Sequence, residues 1–362
     1  MYNAPLLKYR EKLNIVSTLS DFVEIMQNLS NLISVYSSLK PIQWNEKQIG
    51  FLIANKNDLY KEFHIPKKRK GKRKILAPSS NLKLIQKEIQ QILNLFYDFP
   101  EKWEFNDETK LIASNLFKSP NSVHGFLNTR SIVSNARNHV GKGYVFNFDL
   151  QNFFPSVGPG KIIETLKNEP FAFSHFTSQV IANICTLNNE LPQGAPTSPL
   201  LSNIVSRRMD NRFESLCTKF KSLKYSRYAD DITFSCDFNI FDDDFLNIVN
   251  LIVEAESYSI HPKKTRLQLR TQRQEVTGVI VNQKLNVTRK RIKLIRALLY
   301  NWRKKGYDES QSEFVKKHRK SIDLSLYLKG QLNYIKMVRG ADDWIYNKYL
   351  EEFNSLINEN NR

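Results

Sequence analysis

Three aspartates interrupt runs of apolar residues in this chain of 362 residues. Asp149 ends the alternating segment Gly143 to Leu150, and Asp230 and Asp231 stand inside the apolar segment Tyr225 to Cys236. An unpaired carboxylate is costly in apolar surroundings. A bound divalent cation removes that cost, because hard cations are bound by carboxylate oxygens held in fixed positions. The sequence therefore predicts a metal site formed by these three residues.

Phosphoryl transfer is the reaction that suits such a site. Two divalent ions about 3.5 to 4 Å apart activate an attacking oxygen and stabilise a leaving oxygen. A strand that ends in Asp149 beside a hairpin bearing Asp230 and Asp231 supplies the ligands, so we expect two Mg²⁺ ions there. The other neighbouring aspartates, Asp242 to Asp244 and Asp342 with Asp343, are interpreted as solvated carboxylates of loops or helix starts.

The charge of the chain indicates a polyanionic partner. Lys and Arg number 54 against 36 Asp and Glu, which gives a net charge of +18. The cations are clustered: Lys67 to Lys74 reads KKRKGKRK, and Asn286 to Tyr307 holds eight basic residues and no acidic one. A solubilising surface or an acidic membrane is the alternative explanation of the charge, but the clustering favours nucleic acid.

Two further properties restrict the class of protein. Charges near the N-terminus occupy the place where a signal peptide has its apolar run, and no run of about 18 apolar residues follows, so we expect a soluble, cytoplasmic protein. Cys185, Cys217 and Cys236 lack the paired short spacing of a zinc site. We expect them to be reduced, with no disulfide and no structural metal.

The spacing of apolar residues predicts the secondary structure. Residues 1 to 58 have helical spacing, Tyr60 to Pro78 predicts a β-hairpin with a basic tip at Gly71, and an amphipathic helix follows from Leu82 to Phe96. Residues 99 to 120 stay unassigned. Further helices are expected at 161–167, 174–186, 200–213 and 245–257, strands at 143–150, 266–269 and 276–281, a hairpin at 225–236, and only helices after Asn286.

Three segments resemble the motifs of reverse transcriptases, in the order in which that family has them. Residues 228 to 231, YADD, are similar to the YxDD box, Phe148 to Ser156 to the first carboxylate motif, and Leu191 to Pro199 to the substrate-handling loop. The resemblance implies an RNA-directed DNA polymerase. It also implies an α+β right-hand polymerase fold of fingers, palm and thumb, with an antiparallel palm sheet and a helical thumb.

The catalytic roles are implied by the same resemblance. Asp149 and Asp230 are the main metal ligands, and Asp231 supports them. Lys264, in the segment HPKKT, is similar in position to the lysine that donates a proton to the leaving pyrophosphate. General-acid help of this type contributes about 10² to 10⁴-fold. Lys263, beside it, is the alternative donor.

The resemblance implies five substrate-binding residues. Arg73 is similar to the fingers arginine that grips the triphosphate, a task suited to a bidentate guanidinium, although a solvated basic hairpin is the alternative. Phe154 stands where the family has the bulky side chain that crowds a ribonucleotide's 2′-hydroxyl; the alternative is an ordinary core aromatic. Gln193 resembles the glutamine that contacts the incoming sugar, and Gly194 lets the backbone approach it. Tyr228, from the YADD box, completes the set.

Two short segments narrow the resemblance to bacterial retron reverse transcriptases. NARNH, at 135–139, resembles their NAxxH element, and Val276-Thr277-Gly278 resembles their VTG element. This implies a structured non-coding RNA as template and primer, dNTPs as substrates, and RNA-linked single-stranded DNA (msDNA) begun from a 2′-hydroxyl as the product. It further implies anti-phage defence, with any effector protein a separate chain. RNA contacts are expected from Asn135, His139, Arg289, Arg291 and Lys293.

The resemblance covers about residues 60 to 285 and implies four regions. They are a helical N-terminal region at 1–58, fingers at 59–140, a palm at 141–285 with interleaved fingers helices at 157–187, and a helical thumb at 286–362. One rival interpretation is another group II intron-like or defence-associated reverse transcriptase. A second is a non-catalytic RNA-binding scaffold, against which the presence of all three carboxylates argues.

Overall fold

A computed structural model describes residues 5–36, 40–67, 71–98, 118–318 and 322–360. Most of the unassigned segment 99–120 lies outside the described residues, and so do Lys68 to Lys70 of the basic run. Across the described ranges, antiparallel sheets combine with helices, so the predicted α+β class is confirmed. No helix in these ranges is long and apolar enough to cross a membrane.

Helices form the N-terminal region, as their apolar spacing predicted. Asn45 is the N-cap of the third helix along the chain and forms a capping box with Gln48. The apolar stripes of the second and fourth helices lie in one hydrophobic core, because both place apolar residues three and four positions apart. The elements are α1 (Pro5–Ile15), α2 (Leu19–Tyr36), α3 (Glu46–Ala54), the antiparallel hairpin β1 (Tyr60–Pro66) and β2 (Lys72–Pro78), and α4 (Ser80–Tyr97).

A four-stranded antiparallel sheet occupies the centre of the fold. Its strands, in spatial order, are β4 (Lys224–Tyr228), β5 (Asp231–Cys236), β3 (Tyr144–Asp149) and β6 (Arg266–Leu269). These elements confirm the predicted strands at 143–150 and 266–269 and the predicted hairpin at 225–236. Because β3 pairs with β5 in register, Asp149 lies directly opposite Asp231.

Five helices surround this sheet. They are α5 (Ile132–Arg137), α6 (Pro159–Lys167), α7 (His175–Cys185), α8 (Ser198–Lys219) and α9 (Asp243–Ala255). The last four match the predicted helices. The eighth begins earlier than predicted because a proline is tolerated in the first turn of a helix, where Pro199 stands.

The two faces of the sheet differ in polarity, since side chains alternate along a strand. On one face Phe234 packs edge-on against Phe213 of α8 and Phe245 of α9. On the other face Asn147 donates a 2.7 Å hydrogen bond to the Thr233 hydroxyl. The aspartates lie at the end of this polar face.

The C-terminal helices form a second hydrophobic core, to which Ile295, Leu299 and Trp302 contribute together with Val133 and Val145. The predicted single strand at 276–281 is wrong. Thr277 and Gly278 both have positive φ and turn the chain into a small hairpin, as a two-residue hairpin loop requires. The elements are β7 (Glu275–Val276), β8 (Val279–Ile280), α10 (Arg289–Lys305), α11 (Tyr307–His318), α12 (Leu324–Arg339) and α13 (Trp344–Asn360).

Candidate active site

The three aspartates meet at one end of the central sheet. Asp149 is the last residue of β3 and Asp231 the first of β5, and the two are cross-strand partners. Asp230 stands in the β4–β5 turn, after Ala229, which has a left-handed φ of 58°. The Leu150 amide donates a 2.9 Å hydrogen bond to the Asp230 carbonyl and fixes the turn against the end of β3. The structure thus brings together the three predicted metal ligands.

The electrostatics of these carboxylates fit a divalent cation. Burial, followed by the charges of Asp149 and Asp230, raises the pKa of Asp231 to about 7. Burial also raises the pKa of Asp230. One oxygen of Asp231, Oδ1, is buried and has no hydrogen-bond partner. Three acids held together against burial and mutual repulsion are the donor set that a hard cation neutralises.

The ligand set is open. In the ranges that the structure describes, no group of three or more His, Cys, Asp or Glu side chains is gathered closely enough to hold a metal by itself. Magnesium sites in nucleotide enzymes commonly use one or two carboxylates and complete their coordination with water and substrate phosphates. The aspartates therefore suit an ion whose remaining coordination positions are filled by water or by nucleotide phosphates.

The contribution of Asp231 to metal-free stability should fall as pH rises from about 4 to about 7. The pKa of Asp231 is near 3.8 in the unfolded chain and about 7 in the folded protein, so over this range the folded state retains a proton that the unfolded state has lost. Stability decreases with pH wherever the folded state binds more protons. Thermal unfolding at several pH values checks this expectation. The stability of Asp231→Asn relative to the wild type should therefore rise over this pH range, and a difference that stays constant with pH would contradict the expectation.

Lys264 contacts the site directly. It ends a short 3₁₀ turn, Pro262–Lys264, and its Nζ donates a hydrogen bond to Asp149 Oδ2. The backbone of the same segment is anchored beside the strand end, because the His261 amide donates a 2.8 Å hydrogen bond to the Asp149 carbonyl. The geometry favours Lys264 over Lys263 as the lysine of this site.

The β1–β2 hairpin docks on the substrate-handling loop. The Leu76 amide donates a 2.8 Å hydrogen bond to the Gln193 carbonyl. Gly194 has φ +129°, and a Cβ on it would lie 2.7 Å from the Leu76 carbonyl oxygen, so only glycine permits this approach. Arg73, exposed on β2, is near enough to lower the pKa of Asp230, although burial outweighs it. The hairpin and the loop are therefore in direct contact, and Arg73 of the hairpin lies within electrostatic range of the carboxylates.

The adjacent phenylalanines have different surroundings. Phe153 is buried against Tyr258, with ring centroids 5.6 Å apart. Phe154 is half-buried, and its ring lies 6.1 Å from that of Phe126, a residue with positive φ. Phe153 thus fills the core position, whereas Phe154 remains partly exposed. Tyr228, half-buried, is paired with Asp231 across the β4–β5 hairpin.

The structure corrects the expectation of RNA contacts by Asn135 and His139, since both side chains are fully buried. The His139 ring lies between the hydroxyls of Ser235, at 2.6 Å, and Ser226, at 2.7 Å. Burial lowers the pKa of His139 to about 3, so its ring is neutral. The Asn135 amide reaches the Thr277 hydroxyl at 3.5 Å. The NARNH and VTG segments therefore contact each other beneath the polar face of the sheet.

The three cations predicted on α10 do not share one environment. Arg289 and Lys293 are exposed. Arg291 is half-buried, with its guanidinium 4.0 Å from the centre of the Tyr334 ring and a hydrogen bond to Gln331. Arg291 is thus engaged in joining α10 to α12, whereas the exposed pair remains available to a ligand.

Three residues that support the site were not found by sequence reasoning. A Cβ on Gly125 would lie 2.5 Å from the Ala229 amide nitrogen, so the chain at Gly125 touches the aspartate turn. Arg227, just before the YADD box, and Asp210 on α8 form a fully buried ion pair. The position of Arg227 next to the YADD box could have indicated its role in the site, whereas nothing in the sequence around Asp210 indicated one.

The aspartates outside the site are interpreted correctly as helix-start residues. Asp242 accepts a 2.9 Å hydrogen bond from the Phe245 amide at the start of α9. Asp343 accepts one of 3.0 Å from the Ile345 amide at the start of α13. Both carboxylates compensate unpaired amides of a first helical turn.

The family model described as "Reverse transcriptase (RNA-dependent DNA polymerase)" matches residues 65–281, well over half of the chain. The chain belongs to the reverse transcriptase family, and the predicted right-hand polymerase fold agrees with this membership.

Curated relatives confirm the predicted resemblance to retron reverse transcriptases. The Mx65 retron reverse transcriptase of Myxococcus xanthus is 31% identical over 77% of this chain and 61% of its own length. The Ec86 retron reverse transcriptase of Escherichia coli is 28% identical over 82% of this chain and 84% of its own length. The chain thus spans about three fifths of the length of Mx65. Among solved structures, telomerase of Candida albicans, with a fragment of telomeric RNA, covers 92% of this chain and 60% of its own, with TM-score 0.44 and 13% identity.

Proposed function

We propose that this protein is an RNA-directed DNA polymerase that uses two Mg²⁺ ions. The observation that carries the proposal is the meeting of Asp149, Asp230 and Asp231 at the end of the sheet, with a buried, unpartnered carboxylate oxygen among them. Membership of the reverse transcriptase family supports it. When bound there, the metal ions would activate the primer hydroxyl and neutralise the leaving phosphates.

The surrounding residues have separate tasks in this proposal. Arg73 binds the triphosphate with its guanidinium, and the Gln193–Gly194 backbone approaches the incoming sugar. Phe154 excludes a 2′-hydroxyl by its bulk, and Tyr228 lines the site beside it. Lys264, held at Asp149, donates a proton to the leaving pyrophosphate.

We further propose that the enzyme is a retron reverse transcriptase. It copies a structured partner RNA, which also supplies a 2′-hydroxyl as primer, into RNA-linked single-stranded DNA that serves anti-phage defence, with any effector a separate chain. The named retron relatives support this. Regions 1–58, 59–140, 141–285 and 286–362 would then be the N-terminal region, fingers, palm and thumb.

Primer extension tests the polymerase activity. Purified protein, an RNA template, a DNA primer, dNTPs and Mg²⁺ should give extended DNA that depends on both template and metal. No extension over a range of templates and metal concentrations would favour the non-catalytic scaffold. Sequencing the nucleic acid that copurifies with the protein tests the retron assignment: RNA joined to DNA through a 2′ linkage supports it, and RNA without attached DNA contradicts it.

Neutralising exposed cations of α10 should weaken the salt dependence of template binding. Each lost phosphate contact lowers the slope of log affinity against log salt by about 0.7 to 0.9. Arg289→Gln/Lys293→Gln/Arg296→Gln should therefore reduce the slope by about 2 to 3 units, measured as template affinity at several salt concentrations. All three side chains are exposed, and Arg291 is spared because it packs on Tyr334.

A matched control variant loses the same number of positive charges at a different place on the surface. Lys219→Gln/Lys221→Gln/Lys224→Gln removes three exposed cations from the connection between α8 and β4. The control should keep the wild-type slope. If the slope of log affinity against log salt is the same in the two triple variants, the cations of α10 do not contact phosphate.

A further inference from the structure

A fully buried arginine lies directly beneath the aspartate turn. Neither Arg227 nor its partner Asp210 is exposed to solvent. The guanidinium Nε and Nη2 donate 2.7 Å hydrogen bonds to the two oxygens of Asp210. The Tyr225 hydroxyl adds a 2.6 Å hydrogen bond to the same carboxylate. The ion pair is therefore bidentate, and its carboxylate accepts a third hydrogen bond from Tyr225.

Stability alone is a weak explanation for such a pair. Removing two charges from water costs several kcal/mol per ion in real proteins, and well-packed apolar residues of similar volume are often as stabilising or more so. Neighbouring positions on this face of the sheet are in fact apolar, such as Ile232, the cross-strand partner of Arg227. The presence of a charged pair at this position is thus better explained by the hydrogen bonds of the third guanidinium nitrogen, Nη1.

That nitrogen, Nη1, binds the aspartate turn. It donates to the Ala229 carbonyl at 3.2 Å and to the Asn203 side-chain oxygen at 3.0 Å. Asn203 in turn donates a 2.8 Å hydrogen bond to the Gly125 carbonyl. Gly125 packs against the Ala229 amide, so close that a Cβ there would lie 2.5 Å away. Ala229 is therefore held on both sides by one connected set of contacts.

The turn needs this support because Ala229 is left-handed. A non-glycine residue with positive φ is strained and persists only where its surroundings determine it. The backbone of Arg227 is itself fixed, since its amide donates to the Ser122 carbonyl and its carbonyl accepts from the His124 amide, both at 2.8 Å. Arg227 is consequently held in place by hydrogen bonds of both its main chain and its side chain.

We propose that Arg227 is a positioning residue that, through Asp210, Asn203 and Gly125, holds the Ala229 turn so that Asp230 and Asp231 present their carboxylates to the metal ions. The proposal rests on the polymerase function proposed above. Arginine is required because its planar fork offers five donors in fixed directions. A lysine keeps the charge beside Asp210 but cannot also hold the Asn203 and Ala229 oxygens in the same geometry.

Arg227→Lys tests this role. A displacement of about 1 Å at a catalytic group lowers the rate by about 10²-fold, so we expect kcat for single-nucleotide incorporation to fall by about that factor with the KM for dNTP little changed. The Mn²⁺ affinity of the folded protein, read from the paramagnetic resonance of free Mn²⁺, should fall by about tenfold. Arg212→Lys is the matched control on α8, where the arginine pairs with Glu256 at 3.3 Å, away from the turn. It should leave both quantities unchanged.

The outcomes separate positioning from stability. A lower melting temperature with wild-type kcat and Mn²⁺ affinity per folded molecule would overturn the proposal. If Arg227→Lys does not fold, Asn203→Ala decides by the same two measurements, because it keeps the Arg227–Asp210 pair and removes the link to Gly125. A wild-type protein that extends no primer would refute the polymerase function. A weakened Mn²⁺ affinity in Arg227→Lys would still support the positioning role of Arg227.

Discussion

Asp230→Asn is expected to lower metal-dependent nucleotide incorporation by more than about 10³-fold, since it removes several kcal/mol of metal-mediated charge stabilisation, and each 1.4 kcal/mol or so is a tenfold change in rate. RNA affinity should stay close to the wild-type value, because the carboxylate is a metal ligand in our proposal and makes no phosphate contact. Single-turnover incorporation and RNA binding at a fixed salt concentration measure the two quantities.

A second readout does not depend on activity. Burial raises the pKa of Asp230, which means that its charged form is disfavoured in the folded protein. The neutral amide should therefore raise the melting temperature in metal-free buffer and reduce the additional stabilisation by Mg²⁺. Asp244→Asn, at the exposed start of α9, is the matched control and should change neither activity nor the response to Mg²⁺. Substantial synthesis by Asp230→Asn would remove Asp230 from the ligand set.

Phe154→Ala is expected to lower the preference for deoxyribonucleotides by about 10²-fold. Removing the ring opens space for a 2′-hydroxyl, and filling or emptying a pocket by a few atoms changes selectivity by up to about two orders of magnitude. The change should come from faster ribonucleotide incorporation, with deoxyribonucleotide incorporation little altered. The ratio of kcat/KM for a matched dNTP and rNTP measures it.

The control for this prediction keeps the ring. Phe154→Tyr preserves the bulk of the side chain and should retain the wild-type ratio. Since Phe154 is half-buried and Phe153 fills the adjacent core position, the alanine variant should still fold. An unchanged ratio in a folded Phe154→Ala protein would make Phe154 a packing residue for Phe126 and no part of nucleotide selection.

Strong periodicity made much of the fold predictable. The strand Arg266–Leu269 and the helix over Leu82 to Phe96 follow from alternation and from helical spacing, because each pattern repeats over several residues. The hairpin at Glu275–Ile280 was missed since its strands have two residues each, too few to show alternation. Its turn depends on the positive φ of Thr277, and threonine rarely has that conformation.

The candidate site was predictable where its residues stand in recognisable motifs, and it was missed where residues outside those motifs come together from different segments. Short motifs identified Asp149, Asp230 and Asp231 as neighbours in space. A sequence motif specifies the type of each side chain but not how deeply the side chain is buried. The burial of His139 could therefore not be foreseen. The pairing of Arg227 with Asp210 joins a strand to a helix, and no local pattern connects them.

The contact between the NARNH and VTG segments has a consequence for how this protein can be recombined with its relatives. Val145 of β3, Val133 of α5 and Val276 of β7 lie in the same hydrophobic core as the C-terminal helices. A chimera that exchanges the chain only from residue 286 onward therefore cuts through that core and mismatches its two halves. An exchange that also carries 132–140 and 274–281 keeps most of the core from one parent. The C-terminal helices should therefore be exchanged together with both segments, of which 132–140 is distant in sequence and 274–281 precedes the helices directly.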